Sequence, residues 1–373
     1  LRGGRKMKEE KYTCDICHEE RDLSELTYFD ESYLCEDCLR RETFICRDCG
    51  DRHWNDDSAD GDLCQTCYDE DYVRCERCDA VIHYDDACYH EDEEYHDHPY
   101  CRDCFDMDEI IHDYYYKPEP IFYGDGPRYL GVELELDDGG ENEFCASKLL
   151  DIANAQKEHM YIKHDGSLDD GFECVTHPMT LDYHINQMPW RAILNKAVAK
   201  GYLSHQAGTC GLHVHISRNA LGANYEEQEA TIAKILYFYE KFWNEILTFS
   251  RRTESQVEHW ARRYGGGIIN PKETLKHAKN SHMGRYAAVN LENEATIEMR
   301  IFRGTLKYST FIATLQMVDE ICNVAISLSD EFMQSITWLD FVKGIPIEKT
   351  ELINYLKEKR LYVNEPIRNE VEI

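Results

Sequence analysis

Apolar and polar residues alternate with a period of two in several stretches of the second half of the chain. In "YLGVELELD", Val132, Leu134 and Leu136 fall on one face of a strand and Glu133 and Glu135 on the other. "CGLHVHIS" sets Leu212, Val214 and Ile216 against His213, His215 and Ser217, and "ATIEMRIFRG" sets Ile297, Met299 and Ile301 against Glu298 and Arg300. "HDGSLDDGFECVT" predicts a hairpin whose turn at Asp169-Asp170-Gly171 brings Glu173 back alongside Asp165. Between these strands the period lengthens to that of amphipathic helices, predicted over 183–200, 226–263 and 307–328. The longest carries an apolar stripe of Ile232, Ile235, Leu236, Tyr239 and Phe242, and Arg251 and Arg252 either close it as a cation pair or reach a nucleotide. Strands and helices mixed in this way predict an α+β domain over 125–335, followed by a helical extension over 336–373.

The polar faces of these strands carry the chemistry. A strand face that simply meets water favours Thr and other β-formers, whereas Glu is depleted there. Here the polar positions read Glu-x-Glu, Glu, His-x-His and Glu-x-Arg. Like charges side by side on a sheet repel unless something positive sits between them, and divalent cations meet that need. Carboxylate oxygens with one or two imidazoles suit Mg²⁺ or Mn²⁺ better than zinc. The nearby Arg285, Arg300 and Arg303 then point to a substrate bearing phosphate, since the guanidinium fork matches phosphate oxygens. The chain has no Gly-x-x-x-x-Gly-Lys loop to cradle a nucleotide.

The first half reads differently. Thirteen of the 17 cysteines lie between 14 and 104, and twelve form CxxC pairs: Cys14/Cys17, Cys35/Cys38, Cys46/Cys49, Cys64/Cys67, Cys75/Cys78 and Cys101/Cys104. Intervals of 17, 7, 14, 7 and 22 residues separate them, so short constant gaps alternate with long variable ones. That spacing predicts three tandem units, about 14–38, 46–67 and 75–104, each closing a four-cysteine zinc site by sequential pairing. A cross-braced arrangement fits less well, because six pairs do not divide into four-pair units. A closed shell of sulfur is structural, the metal replacing a core too small to fold alone. In the third unit His83, Cys88, His90, His96 and His98 crowd the long gap, either as substitute ligands or as exposed residues of an acidic loop; the second reading is preferred. "DYYYKPEPIFYGDGPRY" follows, and its prolines and glycines predict a linker over 118–124, so the zinc region occupies 7–117.

Charge narrows the partners. The net charge is -31, and residues 1–117 hold 35 acidic against 14 basic side chains. So acidic a region repels phosphate backbones, which argues against nucleic acid and favours a basic protein or peptide surface. With no membrane-length apolar run, no membrane partner is expected and a cytoplasmic location follows; metals rather than disulfides then hold the cysteines. "LRGGRK" before Met7 matches either the tail of ubiquitin or an in-frame translated ribosome-binding site; the second is favoured and suggests a bacterial or phage protein starting at Met7.

Taken in order, "GVELE", "DGSL…GFECVTHP", "GLHVHIS" and "RYAAVN…IEMRIFRG" resemble the putative amidoligase family of glutamine synthetase-like carboxylate–amine ligases, across roughly 125–330. The resemblance implies a curved antiparallel sheet with flanking helices. It implies ATP-dependent amide formation through an acyl phosphate, with two Mg²⁺ or Mn²⁺ ions. Carried over by position, Glu135 and Glu173 hold one ion, and Glu133, His213 and Glu298 the other. His215, with Ser217, Arg285, Arg300 and Arg303, is then expected at the nucleotide phosphates, Arg300 stabilising the transferred phosphoryl group. The alternatives are a phosphotransferase of the same superfamily or a non-catalytic zinc adaptor. A histidine-based metal hydrolase is less consistent, since His164, His177 and His184 are poorly placed to complete it. The zinc repeats lie outside the resemblance, and a docking module of this kind suggests a peptide or protein substrate.

Overall fold

The computed structural model describes residues 11–89, 98–105, 110–265 and 270–363. Residues 1–6, His90, His96 and the last ten residues lie outside the described residues. The chain divides into two compact units, 1–107 and 108–373.

The first unit repeats one local design three times. A short antiparallel hairpin carries the first CxxC pair in its turn: Lys11–Thr13 with Glu20–Asp22, Thr43–Ile45 with Arg52–Trp54, and Tyr72–Arg74 with Val81–His83. The turn is built identically each time. His18, Gly50 and Asp79, each following the second cysteine, adopt positive φ and donate N–H to the carbonyl of Cys14, Cys46 and Cys75. The second pair then opens a short helix, Glu36–Glu42, Gln65–Asp71 or Arg102–Phe105. Beside the cysteines, Leu34, Leu63 and Tyr100 supply the large buried side chains of the three clusters.

The second unit is organised by a seven-stranded sheet. We number its strands β1 (Ile111–His112), β2 (Leu130–Leu136), β3 (Met160–Lys163), β4 (Phe172–Thr176), β5 (Leu212–Ser217), β6 (Val289–Asn290) and β7 (Thr296–Met299). Their order is β1-β3-β4-β2-β5-β7-β6, with every pair antiparallel except β1 and β3. Leu130, Val132, Leu134, Leu136, Leu212, Val214, Ile216, Ile297 and Met299 are all essentially inaccessible and join one core. Helices α1 (Glu143–Ala153), α2 (Trp190–Ala199), α3 (Tyr225–Lys241), α4 (Pro271–Asn280), α5 (Tyr308–Ser327) and α6 (Thr350–Glu358) contribute to that core as well. The alternating faces seen in the sequence thus separate into a helix-covered side and an open side.

Several expectations change. The boundary falls about ten residues before the expected 117, because Ile111 and His112 pair with Ile162 and Lys163 and so belong to the sheet. The expected linker is tied down at its end: Tyr123 is buried and exchanges backbone hydrogen bonds with Pro178 and Thr180. The stretch 183–200 splits into Leu181–Asn186 and α2, since Pro189 interrupts the helical ladder. The long stretch 226–263 becomes α3, Trp243–Ser250 and Glu254–Trp260, broken at Phe242 and at Arg251, whose φ of 68° is left-handed. Residues 336–358 are no appendage, for Trp338, Phe341, Leu352 and Leu356 are part of the main core.

Candidate active site

The cysteines gather as the sequence spacing requires: Cys14, Cys17, Cys35 and Cys38; Cys46, Cys49, Cys64 and Cys67; Cys75, Cys78, Cys101 and Cys104. Within each group the sulfurs lie within 4.8 Å of one another, with edges of 3.9 Å between Cys17 and Cys35 and 3.8 Å between Cys78 and Cys101. Four thiolates bound to zinc at ~2.3 Å stand about 3.8 Å apart, so the donor set fits a closed zinc shell. Burial opposes ionisation of the first cysteine in each group. Backbone N–H groups aimed at the sulfur outweigh it, bringing Cys14 and Cys46 to about 6 and Cys75 to about 7. Cys88 instead forms a backbone bridge with Tyr100, and His98 lies 4.0 Å from Glu76.

In the second unit, the open face of the sheet floors a cleft of about 1620 Å³. Strand register brings its polar side chains together. Glu135 of β2 stands opposite Glu173 of β4, Glu133 opposite His213 of β5, and His215 opposite Glu298 of β7. Gly131 faces His215 across the ladder. The His213 Nδ1 atom lies 3.4 Å from Glu133 Oε2 and 3.6 Å from Glu298 Oε1, and its Nε2 lies 3.5 Å from Glu135 Oε1. His215 Nε2 lies 3.1 Å from Glu133 Oε1, while its Nδ1 is 3.2 Å from the Thr296 hydroxyl. Among the described residues, groups of potential ligand atoms include two overlapping triads, Glu133–His215–Glu298 and Glu133–Glu173–His213, with Glu133 common to both.

Cations frame this acidic floor. Lys163 Nζ reaches Glu173 at 3.1 Å, and Arg300 pairs with Glu298, which also accepts from Asn290 Nδ2 at 2.9 Å. Arg252, buried in the cleft wall, lies near Glu135. Burial raises the Glu135 carboxyl above its usual range. It raises Glu173 much further, with the facing charge of Glu133 adding to the effect. Glu133 goes the opposite way: burial opposes its ionisation, but the imidazoles of His215 and His213 hold it well below the ordinary carboxylate range. Two buried carboxylates and a half-buried one held this close are the electrostatic signature of a site that favours added positive charge.

Measured against expectation, Glu133, Glu135, Glu173, His213, His215, Glu298 and Arg300 all converge on the cleft, with Ser217 and Arg285 on its wall. The geometry also gives His215 a place in a ligand triad, where the resemblance kept it for phosphate. Arg303 does not line the cleft; its backbone bridges Gly211 and its side chain approaches His205 instead, so it is withdrawn from the nucleotide site. Arg300 also follows β7 and still lines the cleft, so the position of Arg303 goes with its bridge to Gly211 rather than with the end of the strand. The hairpin is looser than a tight turn, so the partner of Glu173 is Lys163 rather than Asp165, although Asp165 lines the cleft. Sequence reasoning missed Lys163 and Asn290. Lys163 was legible as the residue preceding the Asp165 loop, but Asn290 sits on a two-residue strand with no alternation to reveal it.

Among the described residues no helix is long and apolar enough to cross a membrane. No curated protein matches this sequence. Among solved structures, one similar chain is a bifunctional glutathione synthetase from Pasteurella multocida, at 13% identity and a TM-score of 0.34. That alignment covers 62% of this chain and 46% of the other, so this chain spans less than half the length of the synthetase. The family model described as "Putative amidoligase enzyme" matches residues 151–322, which include Glu173, His213, His215, Glu298 and Arg300 but not β2. The match supports a ligase-type activity, and the segment 151–322 carries the sequence signature of that family.

Proposed function

We propose that this protein is an ATP-dependent carboxylate–amine ligase of glutamine synthetase-like architecture that forms an amide or isopeptide bond through an acyl phosphate. The observation that carries the reading is the convergence of Glu133, Glu135, Glu173, His213, His215 and Glu298 on one floor framed by Lys163, Arg252 and Arg300. Two divalent cations, when bound, would supply positive charge to the nucleotide phosphates as charge develops during transfer. Glu133, Glu173, His213, His215 and Glu298 would hold them. The acid's carboxylate oxygen attacks the γ-phosphorus and ADP leaves; an amine then attacks the acyl carbon and phosphate leaves. Arg300, paired with Glu298, would donate to the moving phosphoryl oxygens.

The substrate reading is a peptide or protein. Small-molecule pockets span about 300–1,000 Å³, whereas this cleft reaches about 1620 Å³. Tyr114, Tyr115, Phe122, Trp260 and Tyr286 line it, and Tyr115 is 88% exposed. We assign recruitment of a basic partner to the acidic zinc region.

Incubating the protein with ATP, Mg²⁺ or Mn²⁺, candidate acids and hydroxylamine tests the reading. Hydroxamate together with ADP supports it; AMP as the nucleotide product rejects the acyl-phosphate route, and ADP with a phosphorylated product but no hydroxamate favours a phosphotransferase. Glu133→Gln should lower turnover by about 10²- to 10³-fold, as expected when transition-state charge stabilisation is removed, while three zinc ions per chain remain.

A further inference from the structure

Lys163 and Arg300 each pair with a carboxylate of the floor, but Arg252 forms no ion pair among the described residues. It is only 6% exposed and lines the cleft. Its Nε and Nη1 have no hydrogen-bond partner, and Nη2 reaches only the Phe302 carbonyl, at 3.5 Å. Burying a guanidinium with most of its N–H groups unsatisfied is costly, and folded proteins keep such groups chiefly where a ligand completes them.

The backbone is shaped to put it there. Arg251 takes a left-handed φ of 68°, which ends the helix Trp243–Ser250 and reverses the chain. Arg251 itself is spent on the backbone, donating to the Arg303 carbonyl. On the facing strand, a Cβ on Gly211 would stand 3.1 Å from Arg252 Nη2 and 2.4 Å from His213 Nε2. The missing side chain thus lets Arg252 and His213 approach the Glu135 end of the floor together, and the Gly211 N–H donates to Glu135.

We propose that Arg252 is an oxyanion-binding residue at the Glu135–Glu173 end of the cleft. Its ligand is either the carboxylate of the acid to be activated or the phosphoryl group transferred to it. The proposal rests on the ligase reading for the identity of the ligand, but the anion subsite itself is independent of turnover. A planar fork suits a two-oxygen anion, and Lys163 across the floor supplies a second positive charge.

The test follows the thermal transition of the zinc-loaded full-length chain in MgCl₂ as chloride is replaced by acetate, and separately by inorganic phosphate, at constant ionic strength. Wild type should rise in melting temperature with at least one anion, since a ligand that binds only the folded state stabilises it. A response to acetate assigns the carboxylate, and one to phosphate the phosphoryl group. Arg252→Met, of similar length and apolar, should lose roughly ten- to a hundredfold in apparent anion affinity, the range expected for hydrogen bonds to a charged group. No response in wild type, or an equal response in Arg252→Met, overturns the proposal. Should Arg252→Met not fold, Arg252→Lys carries the test, and an unchanged affinity there overturns it too. Anion binding that depends on Arg252 without hydroxamate formation would remove the ligase reading and leave the subsite standing. Hydroxamate formed by Arg252→Met at wild-type efficiency would do the reverse.

Discussion

The two units gather potential metal ligands of different kinds, cysteines in the first and glutamates with histidines in the second. In the first, each repeat buries little besides two or three of its cysteines and one Leu or Tyr, so four thiolates able to close around a zinc ion would take the place of a core. In the second, one apolar cluster extends from Tyr123 to Leu356, and it is strong enough to hold three buried carboxylates against each other on the sheet's other face. A region without a large core closes its donor set on itself, whereas a region with one tolerates an open cluster of carboxylates and imidazoles. The core stabilises the fold that the site destabilises.

Breaking the comparison starts with zinc. A strong chelator should unfold the first unit, since structural zinc contributes on the order of 10 kcal/mol per site, and leave the transition of the second in place. Limited proteolysis would read this as cleavage confined to 1–107; loss of both units together would show that they are not separately stabilised. The converse cut is Phe311→Ala. Phe311 is fully buried on α5 with its ring 4.3 Å from that of Trp190, so its loss should cost about 3–5 kcal/mol in the second unit while zinc content stays unchanged.

Acid separates the units by mechanism. His184 is fully buried, its Nε2 lying 3.1 Å from the Leu130 carbonyl and its Nδ1 accepting from Trp190 Nε1, and burial lowers it from 6.5 to about 4. The folded state therefore refuses a proton that the unfolded chain accepts. The stability contributed is complete above pH 6.5 and is lost, by roughly 3 kcal/mol, as the pH falls toward 4. Denaturant titrations of the second unit should show that slope in wild type and a flatter one in His184→Gln, whereas acid loss of the first unit should track zinc release measured with a chromogenic indicator. The smallest effect on stability sharpens the picture of the site. Gly211→Ala should cost about 1 kcal/mol, because the new Cβ meets the movable ring of His213 rather than backbone, yet it should abolish turnover by displacing that ring.

Reading the sequence recovered the floor more completely than its walls. Glu133, Glu135, His213, His215 and Glu298 were legible because alternation assigns each to a face without reference to any other strand. Arg303 and Arg252 show where that logic stops. Both are arginines near a predicted site, yet Arg252 lines the cleft and Arg303 does not, which goes with a left-handed residue at 251 and with the bridge between Arg303 and Gly211. The paired role of Lys163 likewise depended on the length of the loop before Gly171, where an added Cβ would collide with the Leu136 carbonyl.

The sequence alone determined the three cysteine groups and the division of each strand into apolar and chemical faces. Both are local properties: a CxxC turn chelates within four residues, and alternation is fixed by the pleat. Tertiary structure decided which carboxylates face each other, which histidine meets which glutamate and which arginine is left unpaired. Those outcomes follow from the strand order β3-β4-β2-β5-β7 and its register, set by contacts between residues far apart in the chain.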